Sequence, residues 1–231
     1  AAGAFTMIFP EDDRGELIKM WGLSEAYGAG LYDEALLDVW IDENYDRVLE
    51  MDQWGVEWEK TPEGRFERKV GRFAKMVGWF HGSQMMRAMA KKVTTSGVQI
   101  IGHTMITDLL TETGEPEGRI TGAIGFDVRT GAFRVFTAKA TVLVAGGCGL
   151  KSRFSSHRFQ TGEAIAMAFR AGAVLGRFET GERIHTTAAH FDTHGLIFFV
   201  AQGGRFVNAL GEPFMEAYDP ELKDYAGMSS V

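Results

Sequence analysis

The sequence predicts an α/β chain in which an antiparallel meander interrupts helices and a buried strand. Three observations carry that prediction. Apolar residues recur at helical spacing from Asp33 to Trp54, and again through 83–97 and 161–173. Three β-prone runs, 98–110, 119–128 and 133–140, are separated by polar, glycine-bearing turns. A short, wholly apolar run, Thr141–Val144, then stops in Ala-Gly-Gly-Cys-Gly, the pattern of a strand buried on both faces.

The first helix is expected over 33–54, with Leu37, Ile41, Tyr45 and Val48 among its apolar residues and Gly55 as its stop. "VEWEKTPEGRFERK" alternates apolar and polar residues around Pro-Glu-Gly, which predicts a small hairpin. In "SQMMRAMAKKVTTSG", Ser83 is the expected N-cap, Met85, Met86 and Met89 the core side, and Gly97 the stop. The helix over 161–173 places Ile165, Ala168, Phe169 and Gly172 on one side.

Composition narrows the function classes. With 231 residues and 45% hydrophobic content the chain can form one large domain or two small ones. A net charge of −7, with acidic and basic residues interspersed, argues against a nucleic-acid surface. No apolar run approaches the roughly 18 residues that a membrane span needs. The lone Cys148 excludes an internal disulfide framework, and a zinc ribbon or iron–sulfur cluster held by this chain alone; if electrons pass through a cluster, a partner carries it. The chain opens at "AAGAFTM" without an initiator methionine and closes at "KDYAGMSSV" in mid-pattern, so a fragment is expected and the compartment is left open.

The glycines after Val144 have two readings. Gly146, Gly147 and Gly149 remove the Cβ atoms that would hold a ligand away from the main chain, or they simply turn a tight corner. Spacing alone leaves these even. "GAGLYD" at 28–33 lacks the third glycine of a dinucleotide loop and follows helix-like sequence. Either the chain binds no dinucleotide, or the half with the diphosphate loop lies upstream of Ala1.

"AKATVLVAGG", "TGEAIAMAFRAGAVLGRFE" and "GGRFVNALGEPFME", in that order, resemble the flavoprotein subunit of the succinate dehydrogenase and fumarate reductase family. The layout of "WGVEWEKTPEGRF", "HGSQMM" and the meander is most similar to the adenylylsulfate reductase alpha-subunit branch. The resemblance implies a partial Rossmann-like FAD-binding domain over 1–180, lacking its N-terminal G-x-G-x-x-G unit, followed over 181–231 by the start of an α+β cap domain. It implies FAD as cofactor, a small-molecule substrate, and an iron–sulfur or haem electron-transfer partner.

Carried residue by residue, the resemblance puts Ala145, Gly146 and Gly147 on the strand end that contacts FAD, and Thr161, Gly162 and Glu163 on a Thr-Gly-Asp segment whose acid contacts the cofactor. Glu163 is one methylene longer than that acid, and Ala164 replaces the next glycine. Ile106 falls where a backbone group meets adenine; Ala2 and Gly3 fall on a small-residue loop near the flavin. His185, in "IHTT", partly matches a substrate-side His-Pro-Thr. In "GLIFFVAQGGRF", Ile197 and Val200 stand where the fumarate-reducing members carry an acid and an arginine. Alkyl groups can neither transfer a proton nor pair with a dicarboxylate, so fumarate is not the expected substrate.

His185, His190 and His194 are spaced by five and four residues without an accompanying ligand pattern, so no metal site is assigned and only His185 is kept as a catalytic candidate. The expected function is flavin-mediated reduction or dehydrogenation of a small organic or sulfur oxyanion. The alternatives are a bulkier apolar enoate or ketosteroid substrate, and a degenerate domain that turns nothing over.

Overall fold

The computed structural model describes residues 4–23, 30–70, 75–148, 161–176, 190, 199–200, 203–221 and 223–224. Packing divides the chain into two compact units, Ala1–Val98 with His185–Val231, and Gln99–Ile184.

In the first unit, β1 (Ala4–Thr6), β3 (Lys75–Trp79) and β2 (Arg68–Val70) form an antiparallel sheet in the order β1-β3-β2. Phe5 lies opposite Gly78, and Lys69 opposite Val77. α1 (Arg14–Ile18) starts where the Asp13 carboxylate accepts from the Glu16 amide at 2.9 Å, and it runs into a π-helical turn over Lys19–Leu23. α2 (Glu34–Gln53) begins the same way, Asp33 accepting from Leu36 N at 3.0 Å, and ends just before Gly55, as its spacing predicts.

Two apolar clusters hold this unit. Met7, Val48, Val56, Trp58 and Ala88 form one; Ile8, Leu17 and Ile41 form the other. α2 reaches both through a stripe that also buries Asn44. That side chain accepts from Ile8 N at 2.8 Å and donates to Thr6 O at 3.0 Å, tying the end of β1 to the helix. Leu36 and Val39 instead face solvent, because only one stripe of a long helix can meet one sheet.

The predicted hairpin forms: Thr61 N donates to Arg65 O at 2.8 Å and Lys60 pairs with Phe66 across the turn. Its Trp58 ring stands edge-on to Phe80 with centroids 4.9 Å apart. α3 (Gly82–Thr95) starts two residues earlier than expected. His81 occupies the N-cap without a side-chain bond to the backbone, and Ser83 Oγ pairs with His81 Nδ1 at 3.0 Å instead of capping. Met85 packs on the core while Met86 is exposed. In the segment 203–224, α5 (Met215–Tyr218) follows a turn in which Asn208 Nδ2 donates to Glu212 at 3.0 Å. Arg205 reaches past that turn to Glu216 and Asp224.

The second unit contains the predicted meander, β4 (Thr104–Thr111), β5 (Ile120–Asp127) and β6 (Phe133–Thr137), antiparallel in sequence order. Buried Asp127 organises the β5–β6 turn, accepting from Arg129 N at 2.9 Å, Thr130 N at 3.1 Å and Arg134 Nη2 at 2.5 Å. The run after β6 departs from expectation. No strand pairs with 141–147 among the described residues, and Val142 and Val144 are 82% and 85% exposed. An all-apolar segment is buried only where neighbours stand at both edges and both faces, and among the described residues no strand pairs with its edges. α4 (Glu163–Arg170) follows.

Candidate functional site

The second unit holds a cleft of about 530 Å³ between β4, the extended run 141–145 and the first turn of α4. Ile106 lines it from β4, Ala145 from the extended run, and Thr161 and Glu163 from the opening of α4. These four residues come from three separate parts of the sequence. Gly146 and Gly147 follow Ala145 along the chain but do not line the cleft, Gly146 with φ at 82°.

The α4 opening is built by close backbone approach. Cys148 forms an isolated antiparallel bridge with Thr161, and Gly162 takes the N-cap position in the left-handed region, φ 86°. A Cβ there would stand 3.1 Å from Cys148 Sγ. Thr161 Oγ1 donates to Glu163 Oε1, which holds the carboxylate in the first turn, the end that favours negative charge.

α4 buries Ala164 and Met167, while Phe169 is 65% exposed. The expected Ile165–Phe169 face is therefore not the cleft side; those residues and Gly162 border a separate apolar depression of about 450 Å³ beside Cys148. Apolar residues at 164, 167, 168 and 171 carried the correct helical spacing in the sequence. At its other end, Arg170 pairs with Asp108 on β4 at 2.6 Å, a contact between residues too far apart in sequence for local patterning to show.

The lining sets what the cleft can accept. Met105, Ile106, Leu109, Leu143 and Met167 give an apolar floor suited to a flat ring, with Glu163 at the rim as acceptor. An ionised carboxylate takes hydroxyl donors and repels phosphate. The combination fits the nucleoside end of a ligand better than its phosphates.

Ala2, Gly3, His185 and Ile197 lie outside the described residues. His81 and His190 are exposed, and Val200 is buried. Among the described residues no three His, Cys, Asp or Glu side chains gather to hold a metal. No described helix is long and apolar enough to cross a membrane.

A family model described as "FAD binding domain" matches residues 6–230. The chain belongs to this FAD-binding domain family. The domain is 28% identical over 202 residues to the fumarate reductase flavoprotein subunit of Mycobacterium tuberculosis, covering 83% of this chain and 33% of that protein. It is 32% identical over 203 residues to the succinate dehydrogenase flavoprotein subunit of Rickettsia bellii, covering 80% and 33%. The solved adenylylsulfate reductase of Archaeoglobus fulgidus shares its fold with a TM-score of 0.72 at 24% identity, covering 99% of this chain and 38% of that one. The FAD-binding domain thus spans about a third of the length of the curated relatives it matches. The family, the cofactor class and the likeness of layout to adenylylsulfate reductase agree with the expectations drawn from the motifs.

Proposed function

We propose that this FAD-binding domain serves a flavin-dependent oxidoreductase that reduces or dehydrogenates a small organic or sulfur oxyanion substrate, with an iron–sulfur or haem protein as electron partner. The observation that carries the reading is the cleft itself. Ile106, Ala145, Thr161 and Glu163, assigned to the cofactor by motif order, line one cavity whose apolar floor and acidic rim suit adenosine.

FAD supplies hydride and single-electron transfer when bound; the residues of this chain position it. In this reading the Ile106 backbone meets the adenine edge, and Glu163, held by Thr161, accepts from cofactor hydroxyls. The main chain of Ala145, Gly146 and Gly147 approaches closely because its side chains are small, with Gly162 shaping the turn behind Thr161. Ala2 and Gly3 belong to the flavin side, and His185 orients or protonates the substrate. The division into an FAD-binding domain over 1–180 and a cap beginning at 181 is part of the same proposal.

Substrate choice rests on positions 197 and 200. Val200 is buried at 6% exposure, which supports a packing role at the position where an anion-binding arginine is absent. The test is the full-length protein carrying these residues, loaded with FAD and assayed against fumarate and a panel of sulfur oxyanions. Turnover of a sulfur oxyanion is expected. Fumarate reduction at ordinary enzymatic rates, on the order of 1–10³ s⁻¹, would contradict the reading of Val200, and failure to bind FAD would remove the proposal as a whole.

A further inference from the structure

We propose that Arg170 is a positioning residue for the cofactor cleft: it grips the β4 bulge next to Ile106 and so sets the distance between the Ile106 wall and the Glu163 wall. The inference rests on the reading that this cleft takes the adenosine end of FAD.

β4 and β5 slip register between Ile106 and Asp108, leaving Thr107 as the extra residue. A bulge breaks the ladder and leaves main-chain groups in need of partners. Arg170 answers that need from the last turn of α4. Its Nη2 donates to Thr107 O at 2.8 Å and to Asp108 Oδ1 at 2.6 Å, and its Nε donates to the same carboxylate oxygen at 2.9 Å. The guanidinium therefore holds both residues that follow Ile106. Lysine, a point charge without the fork, could not hold the carbonyl and the carboxylate in one geometry.

The same end of α4 is pinned a second time. Glu117 N donates to Ala171 O at 3.1 Å, and the backbones approach so closely that a Cβ on Gly172 would stand 2.6 Å from Glu117 N. Eight residues make a rod of about 12 Å, so the seat of Arg170 at one end fixes where Glu163 points at the other. Apolar packing holds the rod weakly, since only Ala164 and Met167 are buried.

This arrangement predicts a separation of effects. Arg170 and Asp108 are 54% and 43% exposed, and exposed pairs contribute little to stability. Losing the clamp should therefore change cleft geometry more than melting temperature. The experiment measures FAD affinity by flavin-fluorescence quenching, AMP affinity by competition, and apoprotein melting, in the full-length protein. The variants are Arg170→Ala, Arg170→Lys, Asp108→Ala and the Arg170→Ala/Asp108→Ala double. Arg134→Ala, which breaks the ion pair with Asp127 at the β5–β6 turn, is the structural control.

Both Arg170 variants are expected to weaken FAD and AMP alike by about tenfold, the order seen when a group orienting a ligand contact is lost, with melting close to wild type. The double variant should be no weaker than Arg170→Ala alone. Arg134→Ala should lower melting without moving either affinity. Wild-type affinity in the Arg170 variants, loss of FAD binding without loss of AMP binding, or an affinity loss matched by an equal fall in melting would overturn the inference while leaving the cofactor reading intact. A wild-type protein that binds no FAD overturns the cofactor reading and this inference together.

Discussion

Gly162 holds φ at 86° directly against Cys148, so its backbone conformation strains a side chain and a Cβ would crowd the sulfur. Gly162→Ala is expected to lose about 1–2 kcal/mol, the cost of a left-handed L-residue, read from the shift in urea midpoint. An unchanged midpoint would mean that the turn relaxes freely. Asp127 gives a residue-scale prediction of another kind. The Arg129 amide, then the Thr130 amide and Arg134, hold its carboxyl below the ordinary value of 3.8, against desolvation, which raises it. A carboxyl depressed in the folded state adds stability that is complete above its unfolded value and is lost as pH falls through the folded one. The urea-midpoint gap between wild type and Asp127→Asn should therefore be full at neutral pH and shrink with acidification below the ordinary carboxylate range; a gap that is flat or widens there would refute it.

Among the elements, α2 shows how far a pattern carries. Gly55 just beyond the end was read from the sequence, because a stop is local chemistry, and the structure adds Asp33 as the cap at the other end. The buried Asn44 was not, since its partners Ile8 N and Thr6 O lie in β1. Asn44→Ala strands one amide and one carbonyl in the core. It should cost about 1–3 kcal/mol in equilibrium unfolding, and a loss within error of zero would show that water replaces the amide. α4 was legible as a helix but not in its orientation. Ile165 and Phe169 are bulkier than Ala164 and Met167, yet the smaller pair faces the meander. At the cleft, the motif order supplied Ile106, Ala145, Thr161 and Glu163, while the Arg170 clamp on β4 was found only in three dimensions.

For the molecule as a whole, the proposed function assigns the cleft only the nucleoside end of a dinucleotide, and the sequence contains no G-x-G-x-x-G loop following a strand. Diphosphate binding draws on the backbone amides of such a loop at a helix N-terminus. The 231-residue chain purified by itself is accordingly expected to retain little FAD. A yellow preparation with the absorbance bands of bound flavin would show that adenosine and main-chain contacts suffice.

The sequence by itself determined the helix periods, the glycine stops of α2 and α3, the meander, the absence of a cysteine partner, and the order of motifs that places the chain among FAD-binding domains. Each is a property of neighbours along the chain or of residue identity, which spacing records directly. Only the tertiary structure decided that Thr141–Val144 is exposed, that α4 turns Met167 inward, and that Arg170 closes on Asp108. Burial and pairing across long sequence separations depend on what stands opposite a residue, and periodicity along one segment carries no record of that.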